Sequence, residues 1–390
     1  MSGSIGLVLS GGGARGAYEV GVLTYLAEHH PKLLDRIRVV TGTSVGAVNA
    51  AFLASRGVTV AAVAELADIW RSLEIDQLVG IDKRGMSELL ATGGKRLIGR
   101  PVTSPPVGLL SVDGITRIVA ERTDWRGLRR VVRSGRLDAV GFAATDIGTG
   151  KTVFFVDHAD HIQGRWPRGE DAPQAERVLL GPLHVLASAA IPILFPPVSV
   201  AGRWFIDGGV RYNTPLSPAL ALGAESLLII SVRAVEDAHT DAPQGSFAGF
   251  GQIVGKVLDS VFLDRIGYDL DRMRRINDWI ASIEETLPAD SLTAIRAAMV
   301  AKGRPSYRTV RFAHVQPSKD LGALAAQHLG SAKGAGPFSF ARVLRALFQD
   351  DTGTTGDAAS FLLFDGGYAE TLIKQGHADA AKAEPFMQTL

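Results

Sequence analysis

Residues 38–49 read RVVTGTSVGAVN, and Gly42-Thr43-Ser44-Val45-Gly46 within them is a GxSxG match. Ile37 to Thr41 are β-branched and apolar apart from Arg38, which suits a short buried strand. Val45 to Ser55 are rich in Ala, Val and Leu, which suits a helix packed on a sheet. A serine between them stands on a sharp strand-to-helix turn, where Gly42 and Gly46 remove the Cβ atoms that would clash. Its oxygen then sits at a helix N-terminus, where backbone N–H groups meet developing negative charge. Ser44 is therefore the candidate nucleophile, with Gly42, Thr43, Val45 and Gly46 forming its elbow. The competing reading is a chance match in a Gly- and Ala-rich chain.

Working outward, the preceding unit carries a second signal. Ser4 to Ser10 (SIGLVLS) reads as a strand, and it runs through Gly11-Gly12-Gly13-Ala14-Arg15-Gly16 into AYEVGVLTYLAEHH, which has helical spacing of apolar residues. Gly11, Gly13 and Gly16 formally satisfy GxGxxG, so a dinucleotide site must be weighed. Such a site wants an acid at the end of the second strand. That strand ends instead in Thr-Gly-Thr-Ser, and Asp35 falls before it. The other use of a glycine-rich loop is an anion nest of backbone N–H groups, which beside a serine nucleophile is an oxyanion hole. Ser44 follows only one βα unit, unlike the α/β-hydrolase arrangement, in which several strands precede the nucleophile.

A GGGxRG loop after the first strand, with GTSVGA some thirty residues on, resembles the patatin-like phospholipases. That resemblance implies a Ser-Asp dyad with the acid in a DG[GA] motif, and Asp207-Gly208-Gly209 in WFIDGGVRYNTPLSPAL matches it. Other blocks are similar to the family: Ala143 to Phe155, Ser188 to Val198, and Asn213 with Pro215. The similarity covers roughly residues 5–235. It is weaker toward Arg308–Ser318 and Phe361–Ala380, which look like closing elements of bacterial members.

The resemblance implies a lipid acyl hydrolase that cleaves carboxylic esters, a serine hydrolase. Ser44 is the expected nucleophile and Asp207 the general base and acid. Gly11, Gly12, Gly13, Ala14, Arg15 and Gly16 are the expected oxyanion loop. A broad carboxylesterase or lysophospholipase, or a catalytically silent lipid-binding regulator on the same fold, are the alternatives. Burial beside Phe205 and Ile206 would raise the Asp207 pKa and make it a better base. Without the family pattern, Asp-Gly reads only as a turn pair. Arg15 has two readings, a ligand for lipid phosphate or a brace of the loop.

The expected fold class is α/β: a three-layer α/β/α sandwich with a mostly parallel central sheet and an added helical segment in the C-terminal part. The expected division is a catalytic core at 1–240, a helical insertion at 241–305 and C-terminal elements at 306–390 that pack back on the core. Within the insertion, Leu263 to Thr286 is amphipathic and charged, and reads as a surface helix or as a lid or interfacial element. Residues 70–125, with GRPVTSPPVG at their middle, read as helices and loops over the site's edge. GTTGD near Gly353 reads as a loop.

The 390 residues are 46% hydrophobic and 21% charged, enough for a large globular core. A net charge of +1 gives no global attraction to nucleic acid, and none is expected as a partner. With no cysteine, disulfides and thiolate metal sites are excluded. No cofactor and no metal are expected, since a dyad needs none and no EF-hand pattern occurs. The apolar runs are too short to span a bilayer, and no signal peptide is recognised. The expectation is a cytoplasmic protein that touches membrane reversibly, with an acyl lipid as substrate; the sequence is silent on oligomeric state.

Remaining candidates read as structural by default. The nine histidines allow a Ser-His-Asp triad on paper, but none, His184 included, sits in a catalytic motif. Asp157, His158, Asp160 and His161 invite a metal, yet their spacing fits a solvated loop better. Asp146 reads as a turn residue. Arg126, Arg129, Arg130, Arg133 and Arg136 share helix faces and read as a solvated surface or a site for anionic headgroups. Ser188 to Val198, with prolines at 192, 196 and 197, reads as a wall for an acyl chain or as ordinary core.

Overall fold

A computed structural model describes residues 3–78, 80–81, 108, 110–164, 166, 169, 172–234, 266–302, 308–331 and 356–390. Residues 241–265 of the expected insertion, nearly all of GRPVTSPPVG and most of GTTGD lie outside them.

Eleven strands are described: β1 (Ile5–Leu9), β2 (Ile37–Thr43), β3 (Gly80–Ile81), β4 (Leu110–Ser111), β5 (Ala139–Asp146), β6 (Thr152–His158), β7 (Gln174–Arg177), β8 (Val198–Val200), β9 (Arg203–Asp207), β10 (Ser226–Ile230) and β11 (Arg311–Val315). The main sheet runs β11-β10-β1-β2-β5-β6-β7, while β3 and β4 form a separate pair. From β11 to β5 every pairing is parallel. β6 and β9 each add antiparallel to β5, and β8 continues from β9. Helical crossovers between parallel strands explain why β1, β2, β5 and β10 are buried along nearly their whole length.

Alternating side chains feed two apolar layers, as the period of two in a strand requires. Leu7, Leu9, Val40, Phe142, Leu228 and Ile230 join one core. Val8, Val39, Ala143, Phe154, Leu227 and Ile229 join the other. The larger layer is covered by the helices Ala17–His29, Val45–Arg56, Val60–Arg71 and Gly366–Met387. The smaller is covered by Leu216–Ala221 and the start of Ile266–Thr286. The expected α/β/α sandwich with a mostly parallel sheet is the observed fold.

The helix Ile266–Thr286 is rooted by buried Ile266 and Leu270. Asn277 holds it to Val310 with a donated bond of 2.8 Å and an accepted one of 2.9 Å. Beyond this root it and its successor Ala289–Ala301 are exposed, and Trp279 is 74% accessible. None of their described residues lines the Ser44 cavity, which favours the surface-helix reading over a lid.

The final helix, Gly366–Met387, lies against the first, Ala17–His29, with their backbones in close approach. A Cβ on Gly21 would collide with the Ile373 carbonyl, and one on Gly376 with the Tyr18 carbonyl. The crossing is fastened by a Tyr18 hydroxyl to Asp379 bond of 3.4 Å. Overpacking such a contact typically costs about 1–3 kcal/mol. Gly376→Ala is therefore expected to lower unfolding stability by about that much in urea. Gly267→Ala, in an exposed helix with open space around it, is the control and should be neutral or stabilising by up to about 1 kcal/mol.

Candidate active site

β1 and β2 are adjacent and parallel, and both end on the same side of the sheet. The chain continues from β2 toward β5 on one side, while β10 lies on the other flank of β1. Open α/β sheets form their crevice at such a switch of direction, beyond the carboxyl ends of the strands. The glycine loop leaves β1 and the GxSxG turn leaves β2 at this place.

Ser44 has φ 55° and ψ −125°, a strained conformation for a residue with a side chain. Close packing holds it there: a Cβ on Gly46 would stand 2.5 Å from the Leu9 carbonyl oxygen. The helix Val45–Arg56 thus starts directly on the end of β1. The Ser44 N–H donates to the Ser188 Oγ (2.9 Å), and the Ser44 carbonyl accepts from Ala47 and Val48. Thr43 Oγ1 donates to the Tyr212 carbonyl (3.0 Å), tying the turn to the segment after Asp207.

Strand register brings Asp207 to the same place. Thr43 lies opposite Ala143 of β5, and Ala144, the next residue, lies opposite Asp207 of β9. Because β9 runs antiparallel to β5, its last residue arrives beside the end of β2. The Asp207 N–H donates to the Ala190 carbonyl (2.8 Å), and its own carbonyl accepts from Thr145 Oγ1 (3.0 Å). The carboxylate is fully buried. Oδ1 accepts from the Gly209 N–H at 2.7 Å, while Oδ2 is buried without a hydrogen-bond partner among the described residues. Gly208 packs on the Ala143 carbonyl with no room for a Cβ. Burial pushes the Asp207 pKa up to about 7; the Ser44 hydroxyl and the Gly209 N–H favour the charged form and oppose that shift.

The glycine loop closes the third side. Gly11 stands against Ser44, with a notional Cβ 3.1 Å from the Ser44 Cβ. Its N–H donates to the Asn213 carbonyl (3.2 Å), and Asn213 Nδ2 donates to the Gly11 carbonyl (3.3 Å). The Arg15 N–H turns back to the Gly12 carbonyl (3.2 Å). The Gly12 and Gly13 N–H groups meet no acceptor among the described residues, and Gly13 has φ 58°. Ala14, Arg15 and Gly16 complete a short 3-10 turn that leads into the first helix. Arg15 is buried, with Nε donating to Ser360 Oγ (2.7 Å) and its guanidinium 4.2 Å from the Phe361 ring centroid. This favours the brace over the phosphate ligand.

A cavity of about 130 Å³ opens at Ser44 and Gly13. Its walls are apolar: Val48 and Phe52 from the helix after Ser44, Trp70, Ile115 and Val119 from the 70–125 stretch, and Ile191 and Phe195 from the proline-rich block. Both segments read as edges of the site do contribute walls. No histidine lines it among the described residues, so nothing there assembles a Ser-His-Asp triad. His184 instead packs against Phe155 with its pKa lowered by burial.

Sequence reasoning missed three contributors. Ser188 heads a block that resembles the family, but nothing in that block marks it as a partner of the Ser44 N–H. Asn49 lines the cavity, donates to Glu19 Oε2 (2.9 Å) and accepts from Trp70 Nε1 (3.0 Å). Glu19 is fully buried, and burial holds its carboxyl well above the usual range. An acid inside the apolar run AYEVGVL was the available signal for it.

Most of the remaining polar candidates make structural contacts. Asp146 Oδ1 caps the turn through the N–H groups of Gly148 and Thr149, and Oδ2 meets Arg203. Arg130 pairs with Asp124 and Arg136 with Asp35, while Asp157 and Asp160 face Arg129, Arg133 and Arg177. Among the described residues, His158 and His161 do not converge with acids into a metal-binding group.

The chain is 23% identical over 256 residues to lysophospholipase nte1 of Aspergillus terreus (strain NIH 2624 / FGSC A1156), covering 65% of this chain and 13% of that protein. Among solved structures, VipD from Legionella pneumophila aligns with a TM-score of 0.35 and 15% identity, over 93% of this chain and 67% of that one. Human GIVD cytosolic phospholipase A2, in complex with methyl gamma-linolenyl fluorophosphonate and terbium chloride, aligns with a TM-score of 0.39 and 12% identity, over 99% and 59%. Among the described residues, no helix is long and apolar enough to cross a membrane. The patatin-like phospholipase family model matches residues 7–220, more than half of the chain and the whole span from the glycine loop through Asp207-Gly208-Gly209, and the chain belongs to that family.

Proposed function

We propose that the chain is a lipid acyl hydrolase that works through a Ser44–Asp207 dyad and an acyl-enzyme. One observation carries the reading: the buried Asp207 Oδ2 forms no full hydrogen bond among the described residues, and the strained Ser44, whose hydroxyl favours the charged carboxylate, shares its site at the mouth of an apolar cavity. Unsatisfied buried oxygens are costly, and their persistence at a site points to chemistry.

In the proposed reaction Ser44 Oγ adds to the ester carbonyl while its proton passes to Asp207. The tetrahedral oxyanion is held by the Gly12 and Gly13 N–H groups. Collapse expels the alcohol, which takes the proton back from Asp207. Water then adds to the acyl-enzyme, losing its proton to Asp207, and Ser44 leaves with that proton as the carboxylic acid departs. A base with a pKa near 7 suits both directions of transfer at neutral pH. The apolar cavity beside Ser44 accommodates the acyl chain, so the substrate class is an acyl lipid met at a membrane surface. The fungal relative named a lysophospholipase supports that class.

The test is fatty-acid release from phospholipid vesicles beside hydrolysis of a short-chain ester. Folded Ser44→Ala and Asp207→Asn variants should each lose on the order of 10⁴-fold or more in kcat, because groups that act as a unit fail together. The lipid-to-ester ratio separates a phospholipase from a broad carboxylesterase. An inactive wild type, or an active Ser44→Ala, would leave a lipid-binding role instead. Because the base must be ionised, kcat/KM should rise with pH through about 7 and then level off. Turnover should persist in excess EDTA, since no step calls on a metal.

The same titration sets a stability trend. Asp207 has a folded pKa above the 3.8 of the free side chain, so the native state holds more protons between about pH 4 and 7. Stability contributed by this group is therefore lost as pH rises through that window. Asp207→Asn keeps the Oδ1 acceptor for Gly209 and removes the buried charge. At pH 8 this inactive variant should be more stable than wild type by roughly 1–4 kcal/mol in urea, with the gap closing near pH 4. A variant less stable at pH 8 would contradict the buried-charge account.

A further inference from the structure

The end of the helix Ala17–His29 meets the middle of Gly366–Met387 in a group of donors far from Ser44. One ligand atom each from Glu28, His29 and His377 lies within 4.8 Å of the others, the sole such convergence of three among the described residues. His377 Nε2 is already 2.9 Å from Glu28 Oε2. His29 Nδ1 is 3.1 Å from the Tyr25 carbonyl, and its ring stacks on Tyr25 at 4.3 Å. The His377 ring meets the same tyrosine edge-on at 5.1 Å. Tyr25 is itself fixed by donating to Glu384 Oε2 (2.8 Å), whose other oxygen is 2.9 Å from His30 Nε2.

We propose that Glu28, His29 and His377 bind a divalent zinc ion that clamps the first helix of the chain to the last. Two imidazoles and a carboxylate suit zinc, whereas calcium and magnesium prefer sets made wholly of oxygen. The Tyr25 carbonyl accepts from Nδ1–H of His29 and so selects the tautomer whose Nε2 lone pair is free for a metal, a common arrangement around zinc-bound histidines. Ligand atoms about 2.0–2.1 Å from a tetrahedral ion stand roughly 3.3 Å from one another, close to the existing Glu28–His377 spacing. Glu28 and His29 are exposed and can move inward with little repacking, leaving the fourth position to water. A plain surface ion pair explains Glu28 and His377, but it gives no reason for His29 to converge on them. The site touches neither Ser44 nor the cavity, so it acts on stability rather than on the ester chemistry.

The experiment uses the full chain, stripped with EDTA and titrated with zinc chloride by calorimetry and by thermal unfolding. Wild type should bind one equivalent in the low-micromolar range, and its melting temperature should rise with zinc concentration. His29→Ala and His377→Ala should each weaken binding by more than about tenfold and remove the thermal shift. His161→Ala, a surface histidine elsewhere, should change neither. If an alanine variant fails to fold without metal, His377→Gln replaces it. Cobalt(II) should give the visible absorption of a tetrahedral site in wild type alone. No zinc bound below about 100 μM, or binding that survives both substitutions, overturns the proposal.

Discussion

The seat of Gly46 on the carbonyl end of β1 is the constraint on which the rest of the site hangs. A methyl group there would push the helix Val45–Arg56 off the sheet. With hydrogen alone, the helix begins one residue after the strand ends, and Ser44 must absorb the whole change of direction in a conformation that side chains avoid. The same closeness sets Ser44 against Gly11 and brings the glycine loop and the serine turn into one crevice. Strand register then supplies the acid, because β9 can pair with β5 only by ending where β2 ends.

In the proposed dyad, placing Asp207 in that crevice sets stability against reactivity. Among the described residues its carboxylate has one backbone donor for Oδ1 and no full hydrogen bond for Oδ2, so with only the Ser44 hydroxyl nearby the charged form is under-solvated. A better-satisfied carboxylate would be a weaker base and a better structural residue. Proteins commonly give up stability at functional positions in this way. Glu19 shows the other outcome of burial: one of its oxygens also forms no full hydrogen bond among the described residues, yet it stands behind the glycine loop and couples to Asn49 and Trp70 in the cavity wall.

Much of this was legible in the sequence because it is local. The turn at Gly42–Gly46, the loop at Gly11–Gly16 and the apolar strands before them are each written in a few consecutive residues, and the sandwich follows from their alternation. Asp207 was readable only through the resemblance, since Asp-Gly by itself marks any turn. What stayed hidden depends on tertiary pairing. Ser188 is one serine among many until it meets the Ser44 N–H. The arginine run left both a solvated face and an anion site open because Asp124, Asp35, Asp157 and Asp160, which face it, come from other segments or sit outside its spacing. Arg15 could not be assigned from its motif, because its partner lies 345 residues downstream.

That separation bears on how the chain comes into being. The residues that form the serine turn are made well before the ring and hydroxyl that seat Arg15, which belong to Phe361 and Ser360. β1 must likewise wait for β10 to cover its open edge. Contacts of such long range form late, after the intervening chain has condensed. During synthesis, therefore, a nascent chain carries Ser44 long before its glycine loop has anything to lean on. A site whose supports lie this far downstream takes its final geometry only after most of the described chain has been made.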